Sequence, residues 1–314
     1  GFRCLFRLQR IYLFPILMKQ FLFFIGKIIL VFLMLATLLD FVYTRVFEKS
    51  TPRHKYQYFR SFEGKSIDYV FLGSSRVENS IIPNEIEKKT GKKALNLGFQ
   101  AAKMQDIFTL LQLIKAYNIQ TKKVFIQVDY IFNIENGYSN VLPYEIMPFI
   151  RNNEVTKTYL DSRFEDATML YYFPFYRYSE FDSKIGFREL FLQVLGKRTA
   201  ILKDKGFIGL QGDLRNSEFE FPNSIIEKNK YLDQIRQFAE NNKIDVVYYC
   251  SPISFKTKNR EYVTQLKDKI PELLDFSSVI EDDKMFKDCT HLNTNGARFF
   301  TQFFIDNVLI AQSE

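Results

Sequence analysis

Two short polar motifs at opposite ends of the chain carry the residue types that serine-based acyl transfer requires. Gly73-Ser74-Ser75-Arg76 follows an early apolar run, and Asp288-Cys289-Thr290-His291 lies close to the C-terminal end. A serine nucleophile needs a base to take its proton, and the base needs an acid to fix its tautomer. An aspartate three residues before a histidine can reach the imidazole Nδ1 and leave Nε2 facing a serine. The alternative is a surface histidine that caps the final helix.

Histidine and cysteine are both scarce, which narrows the chemistry. His54 and His291 are the only two histidines among 314 residues. Three cysteines, at positions 4, 250 and 289, exclude a disulfide scaffold and a multi-cysteine zinc site. Cys250 and Cys289 either pair in an oxidising compartment, which would pin the histidine loop, or stay as two separately buried thiols.

The elements that must position these motifs alternate between strand and helix patterns. Short continuous runs rich in Val, Ile, Phe and Tyr predict parallel strands covered on both faces, at 68–73, 93–98, 123–129, 244–250 and 276–280. Amphipathic stretches predict helices at 103–117, 227–242, 258–270 and 294–310, the last opened by Asn293-Thr294. The alternation predicts a three-layer α/β fold, in which a serine after the first strand lies at the carboxyl edge of the sheet.

The order of the motifs resembles that of the SGNH/GDSL hydrolase family. The matching blocks are Gly73-Ser74-Ser75, Asn96-Leu97-Gly98 and Asp288-Cys289-Thr290-His291, and the resemblance covers residues 67–132 and 244–310. It implies a flavodoxin-like sheet, with Ser75 as nucleophile, His291 as base and Asp288 as its orienting acid. It also implies that the backbone N–H groups of Ser75 and Gly98 form part of the oxyanion hole.

Two positions depart from the family pattern. Ser74 replaces the aspartate of the first block, and Val128-Asp129 stands where the third block has Asn-Asp. The side-chain donor of the oxyanion hole is therefore missing, and loss of one such donor costs about 10²–10³ in rate. Arg76, Asp129 and Asn133 are the candidate substrate-binding residues. Arg76 would bind either an anionic substrate or a nearby carboxylate.

A Gly-Ser-Ser block behind an N-terminal anchor is similar to two groups with this fold, the D-alanine transfer protein of teichoic acid D-alanylation and the alginate O-acetylation proteins. The resemblance implies a domain outside the cytoplasmic membrane that works with a membrane-bound O-acyltransferase on a carbohydrate or other envelope polymer. We expect acyl transfer or ester hydrolysis through an acyl-Ser75 intermediate, without a metal or organic cofactor. The alternative is a non-catalytic envelope assembly or binding protein that retains the fold.

The N-terminal region predicts a membrane anchor. Residues 21–39 are nineteen in number with one charge, Lys27, and about 20 helical residues cross a bilayer. A cleaved signal peptide and a buried soluble helix are the alternatives, and the uncleaved signal anchor is favoured because the apolar run is long and lacks a clear cleavage site. Met18-Lys19-Gln20 resembles a natural start, which would make residues 1–17 an over-extended gene start. Lys and Arg flank both ends, so their count does not set the orientation.

The net charge of +7 is concentrated around this anchor. Residues 1–50 hold seven basic and two acidic groups, whereas the remaining chain holds 36 and 34. Basic residues around an apolar segment suit a membrane surface, and no zinc-finger spacing, ribonucleoprotein motif or long basic stripe indicates nucleic-acid binding.

The chain is therefore divided into an N-terminal flank, a transmembrane anchor, a linker and an SGNH-like α/β domain, at 1–20, 21–43, 44–66 and 67–314. An aromatic-rich insertion at 133–222 interrupts the domain after the third strand. It is interpreted as a helical subdomain with its own aromatic core, as a lid or docking surface for a sugar-containing or lipid-linked substrate, or as both.

Overall fold

A five-stranded parallel sheet forms the centre of the domain. The computed structural model describes residues 2–214 and 217–311, with side chains from residue 18 onward. The strand order is β2-β1-β3-β4-β5, the flavodoxin-like order. The strands are β1 (Ser66–Gly73), β2 (Ala94–Gly98), β3 (Gln120–Gln127), β4 (Val246–Cys250) and β5 (Leu274–Asp275). A separate antiparallel pair is formed by β6 (Phe286–Asp288) and β7 (His291–Leu292).

Fifteen α-helices surround the sheet within the described ranges. The first four are α1 (Phe2–Lys49), α2 (Lys55–Arg60), α3 (Ser75–Glu78) and α4 (Pro83–Thr90), followed by α5 (Met104–Ala116) between β2 and β3. The insertion holds α6 (Leu142–Ile146), α7 (Glu154–Arg163), α8 (Thr168–Tyr172), α9 (Tyr176–Glu180), α10 (Asp182–Ile185), α11 (Phe187–Val194) and α12 (Ala200–Asp204). The last three are α13 (Lys230–Asn242), α14 (Tyr262–Lys269) and α15 (Thr294–Phe304), the last continuing as a π-helix over Ile305–Ile310.

The sheet is buried on both faces, which explains why its strands are apolar without alternation. On one face Val70 and Leu72 join the core beneath α5 and α13. On the other face Phe71 and Phe125 stack with ring centroids 4.8 Å apart, in the core beneath α15. The predicted three-layer α/β class is confirmed. Asn293 also caps α15 as expected, because its side chain accepts from the N–H groups of Asn295 and Gly296.

The fifth strand is the element whose predicted position was wrong. The apolar run at 276–280 predicted a strand, but only Leu274 and Asp275 pair with β4. The Asp275 carboxylate accepts from the Ser277 N–H at 2.9 Å, which turns the chain out of the sheet.

The N-terminal helix α1 is long and apolar enough to cross a membrane, a property that it shares with signal sequences. Met18–Lys49 reaches a mean hydropathy of 2.6 in its most apolar window, of which only 6% is buried. A buried core helix is therefore excluded for this apolar window. The side chains of residues 1–17 lie outside the described part of the chain. The expectation that these residues precede the natural start of the protein therefore stays a prediction.

The C-terminal part of α1 packs on the domain along one face. Ala36, Asp40, Tyr43 and Phe47 are buried, at the spacing of successive helical turns. The region predicted as a linker, 44–66, differs from that expectation, because it holds the end of α1 and then α2. Polar residues dominate this segment, but its aromatic side chains enter the core and give it tertiary contacts.

The insertion is helical, but it does not have a core of its own. Its buried Tyr159 and Tyr178 belong to the same continuous cluster as Phe47 of α1 and Tyr56 of α2. The aromatic residues that predicted a separate core instead pack the insertion onto the anchor helix and the sheet domain. Cys250 and Cys289 are unpaired and buried.

Candidate active site

Ser75 stands where β1 passes directly into α3. It is the first residue of that helix, after Ser74 as N-cap. Gly73 allows the close approach of this turn, because a Cβ there would lie 2.4 Å from Cγ2 of Val77. Its backbone does not adopt a positive φ. The glycine is therefore needed because a larger side chain would collide with α3, and not for its backbone conformation.

The structure brings together the three residues predicted as a catalytic triad. Ser75 Oγ lies 2.8 Å from His291 Nε2, across a separation of 216 residues. His291 Nδ1 lies 2.9 Å from each carboxylate oxygen of Asp288. With Nδ1 donating to the carboxylate, Nε2 is free to accept the serine proton, which is the arrangement that activates a serine nucleophile.

The short β6–β7 hairpin holds the base and its acid in this geometry. Asp288 Oδ1 accepts from the backbone N–H of Thr290 at 2.8 Å and of His291 at 3.0 Å. The Thr290 hydroxyl lies 3.2 Å from His291 Nδ1 and 3.1 Å from Asp288 Oδ1. Thr290 is thus a site residue that sequence reasoning did not single out, although it lies inside the Asp-x-x-His motif.

The electrostatics of Asp288 favour its ionised form. Partial burial acts to raise its pKa, but hydrogen bonds from His291 and Thr290 and the charge of the imidazolium lower that pKa to about 2. Its side chain is 38% exposed, so solvent screens part of this interaction. The carboxylate is therefore charged wherever the imidazole has to act as a base.

Of the two predicted oxyanion donors, only the Ser75 N–H is at a position open to a ligand. As the first residue of α3, Ser75 has no intrahelical acceptor for its N–H. The Gly98 N–H already donates to Asn96 Oδ1 at 3.0 Å. A Cβ at Gly98 would lie 2.3 Å from the Glu78 nitrogen, so this glycine allows β2 and α3 to touch. Its oxyanion role stays a prediction that requires the bond to Asn96 to break.

Arg76 and Asp129 pair with each other, which answers the question left open for Arg76. Arg76 Nη2 donates to Asp129 Oδ1 at 3.1 Å, and Nε also contacts this carboxylate. The guanidinium lies over the Tyr130 ring, 4.5 Å from its centroid. Both side chains of the pair are at most 3% exposed. Because neither side chain is accessible to a substrate, the structure does not support their predicted substrate-binding role. The pair instead supports the turn that presents Ser75.

Gln127 connects this ion pair to the first block. Its Nε2 donates to Asp129 at 2.7 Å, and its Oε1 accepts from the Ser74 hydroxyl at 3.1 Å. Ser74 stands where the SGNH/GDSL pattern has an aspartate. Its neutral hydroxyl donates to the neutral side-chain amide of Gln127. Sequence reasoning missed Gln127, because a buried glutamine in an apolar strand has no motif around it.

Asn133 holds the segment that follows the insertion. Its Nδ2 donates to the Ser224 carbonyl at 2.6 Å. Its Oδ1 accepts from the Ile226 N–H at 3.2 Å and from the Tyr262 hydroxyl at 3.0 Å. Since both ends of the amide are used, Asn133 has no free polar group for the substrate contact predicted for it.

One segment of the insertion, residues 205–212, runs between α3 and the histidine hairpin. The Ile208 N–H donates to the Glu78 carbonyl at 3.0 Å, and Leu210 accepts from the Thr294 N–H at 2.9 Å. The Asn293 amide donates to the Gly212 carbonyl at 2.9 Å. This segment connects the end of α3 to the residues that follow His291, and the interpretation of the insertion as a lid stays a prediction.

Comparison with known proteins gives a distant structural likeness only. No protein-family model matches the chain, and no curated protein matches it. A solved structure from Desulfitobacterium hafniense DCB-2, provisionally described as a lipolytic protein of the G-D-S-L family, is similar at 12% identity. The match covers 75% of this chain and 96% of that chain, with a TM-score of 0.37. A likeness at this level says nothing about activity.

Proposed function

We propose that this chain is a membrane-anchored serine acyltransferase or esterase of the SGNH type that acts through an acyl-Ser75 intermediate. The observation that carries the proposal is the hydrogen-bonded series from Ser75 Oγ through His291 to Asp288, at 2.8 Å and 2.9 Å. A non-catalytic envelope assembly or binding protein with this fold has no need of that geometry. Two observations favour this second function: the Gly98 N–H is already bonded to Asn96, and the asparagine of the third sequence block is absent.

The reaction follows from the positions of the three side chains. Ser75 Oγ attacks the acyl carbonyl carbon while His291 Nε2 takes the hydroxyl proton, and the Ser75 N–H stabilises the resulting oxyanion. His291 then returns the proton to the leaving alkoxide as the bond to the acyl carbon breaks. A water or an acceptor hydroxyl attacks the acyl-enzyme, loses its proton to His291 and regenerates Ser75.

The substrate class of this proposal is an O-acylated carbohydrate or related polymer of the cell envelope. The apolar helix found among the described residues supports attachment to the cytoplasmic membrane. The proposed position of the catalytic domain on the outer side rests on the resemblance to exported envelope proteins. A membrane-bound O-acyltransferase is the proposed partner that supplies the acyl group. Transfer and hydrolysis share every step up to the acyl-enzyme and differ in whether a hydroxyl or water accepts the acyl group.

A fluorophosphonate probe tests the nucleophile on the full-length chain in detergent. We expect the wild type to be labelled and both Ser75→Ala and His291→Ala to lose labelling. Full-length protein is required because Tyr43 and Phe47 of the anchor helix belong to the core.

Ser61→Ala is the matched control, since it removes an exposed serine hydroxyl that donates to the Tyr58 carbonyl. It should keep its labelling. Equal labelling of the wild type and Ser75→Ala would contradict the proposal. Absence of labelling in a folded wild type would favour the non-catalytic function.

A further inference from the structure

Helix α11 carries apolar side chains on its outward face and polar side chains on its inward face. The inward side holds Glu189 and Gln193 beside Leu190, which packs against the core. Its outward face carries four apolar side chains that are between 53% and 69% exposed, Phe187, Phe191, Val194 and Leu195. A soluble helix normally turns its apolar stripe to the core. A contiguous apolar patch that faces outward indicates a binding surface.

The inward polar residues tie α11 to the end of the anchor helix. Glu189 accepts from Arg53 Nε at 2.6 Å. Gln193 exchanges hydrogen bonds with Gln57 and also accepts from Ser50, the residue directly after α1. These contacts fix the face of α11 relative to α1, so the apolar residues are held outward by specific partners.

The position of α11 along α1 matches the boundary of a bilayer. After Met18, Lys19 and Gln20, exposed apolar residues of α1 extend from Phe21 to Val42. These 22 residues span about 33 Å, which at a usual tilt crosses a hydrocarbon core of about 30 Å. Val194 lines one cleft with Arg45 and Lys49, which lie about one and two helical turns beyond Val42. If α1 crosses a bilayer, this end of α11 lies close to the headgroups at the end of the apolar run.

The charges around α11 fit an anionic lipid surface. Four exposed basic residues flank or interrupt the apolar face, Lys184, Arg188, Lys197 and Arg198. The acid on the inward face, Glu189, is neutralised by Arg53. Apolar side chains with a basic border are typical of helices that lie in the plane of a membrane interface.

We propose that α11 binds the bilayer surface as an interfacial helix beside the transmembrane segment, with its apolar face in the headgroup region of anionic lipids. This proposal rests on the membrane attachment in the proposed function. With α1 crossing the membrane and α11 resting on it, the domain has two fixed contacts with the lipid. The second contact stops rotation about α1 and holds the Ser75 site at a constant height and orientation.

Tryptophan fluorescence tests the proposal, because the chain contains no tryptophan. Full-length Phe191→Trp is reconstituted in phosphatidylcholine–phosphatidylglycerol vesicles that contain brominated phosphatidylcholine. We expect loss of emission when the bromines lie near the ester linkage, and less loss when they lie near the methyl end of the chains. Replacing phosphatidylglycerol by phosphatidylcholine should reduce the quenching.

Two matched variants separate this proposal from the membrane attachment itself. Phe32→Trp in α1, 59% exposed, should be quenched by the deep bromines, and Phe255→Trp in a distant loop, 50% exposed, should be quenched by neither lipid. Quenching at position 32 without quenching at 191 would overturn the proposal and leave the anchor intact. Absence of quenching at both would refute membrane attachment. Emission at 191 that depends on protein density but not on bromine would assign the face to a second copy, and so also overturn the proposal.

Discussion

Ionisable side chains are arranged differently in two regions of the molecule. At the carboxyl edge of the sheet, Asp288 and His291 are partly exposed, at 38% and 22%, and are joined in a single series of hydrogen bonds. Where the insertion meets α1, Asp40 is buried and Arg177 is 1% exposed. In the proposed reaction the first pair activates Ser75. In the second pair, Asp40 also accepts from the Phe175 N–H, and Arg177 lies over the Tyr178 ring.

The comparison shows that the contribution of a pair of ionisable side chains to stability depends on how deeply the pair is buried. An exposed pair contributes little to folding, because water screens it. A buried charge that loses its partner destabilises strongly, because the remaining charge has no solvent. We therefore expect changes at the sheet edge to remove activity and changes at α1 to remove stability.

The largest expected effect is the loss of catalytic rate in the Asp288→Asn variant. The amide oxygen can still accept from the Thr290 and His291 N–H groups, so the hairpin keeps its shape. The carboxylate that fixes the imidazole tautomer and stabilises its cation is lost, and kcat for an activated ester should fall about 10⁴-fold. Steady-state hydrolysis of a nitrophenyl ester measures this, with thermal unfolding showing little change.

Asp282→Asn is the control for Asp288, because it changes an aspartate of the preceding turn whose carboxylate accepts from the Lys284 N–H. Its rate should stay close to wild type. A rate for Asp288→Asn within tenfold of wild type would remove the distinction between the two regions.

The next largest expected effect is a loss of stability in the Asp40→Ala variant. This change removes the carboxylate that pairs with Arg177 and Arg151, each at 3.0 Å, and that accepts from the Phe175 N–H. Arg177 is then buried without its counter-ion, and we expect a loss of about 3–5 kcal/mol in the free energy of unfolding. Thermal unfolding in detergent measures the loss, while labelling of Ser75 per folded molecule should be unchanged.

Glu48→Ala tests whether burial decides the size of this effect. Its partner Arg45 is 57% exposed, so loss of the pair should cost less than about 0.5 kcal/mol. If Asp40→Ala is no more destabilising than this control, the docking of α1 on the insertion contributes nothing to stability.

The smallest effect is the pH dependence due to His54, which lies between Glu145 and Glu189. Burial acts to lower its pKa, but hydrogen bonds and the charges of the two carboxylates raise it to about 9 from 6.5. Its contribution is present in full below pH 6.5 and is lost as pH rises through about 9, at most about 3 kcal/mol. Denaturant unfolding should show a steeper decline over this range for wild type than for His54→Gln.

Parallel declines in the two proteins would show that His54 is not protonated preferentially in the folded state. That result would also weaken the comparison, since His54 belongs to the stabilising region. Its location near α11 makes the measurement informative about the same contacts that hold that helix in place.

Local sequence predicted well which side chains meet at the carboxyl edge of the sheet. Asp288 and His291 share one hairpin, and Ser75 follows a recognisable apolar strand, so both motifs have signatures within a few residues. The sheet class was also predictable, because continuous apolar runs are typical of strands buried on both faces. The short β5 was misplaced because its pairing depends on the end of β4 and not on its own composition.

The supporting contacts were not predictable, because their partners are distant in the chain. Arg76 meets Asp129 across 53 residues, and Asp40 meets Arg177 across 137. A charged residue has many candidate partners in a sequence, and only the packed chain selects one. The same reason explains the failure at Asn133, whose amide is used by a loop that no motif marks.

By itself, the sequence determined which groups are present and in what order: a serine after the first strand, an Asp-x-x-His near the end, and one apolar helix before the domain. The tertiary structure alone decided that Ser75 and His291 are in contact, that Gly98 N–H is occupied and that α1 is part of the core. The physical reason is the distance along the chain over which the interactions act. Motifs and periodicity report forces between near neighbours, whereas the reach of a side chain across a fold depends on where hydrophobic burial places every element at once.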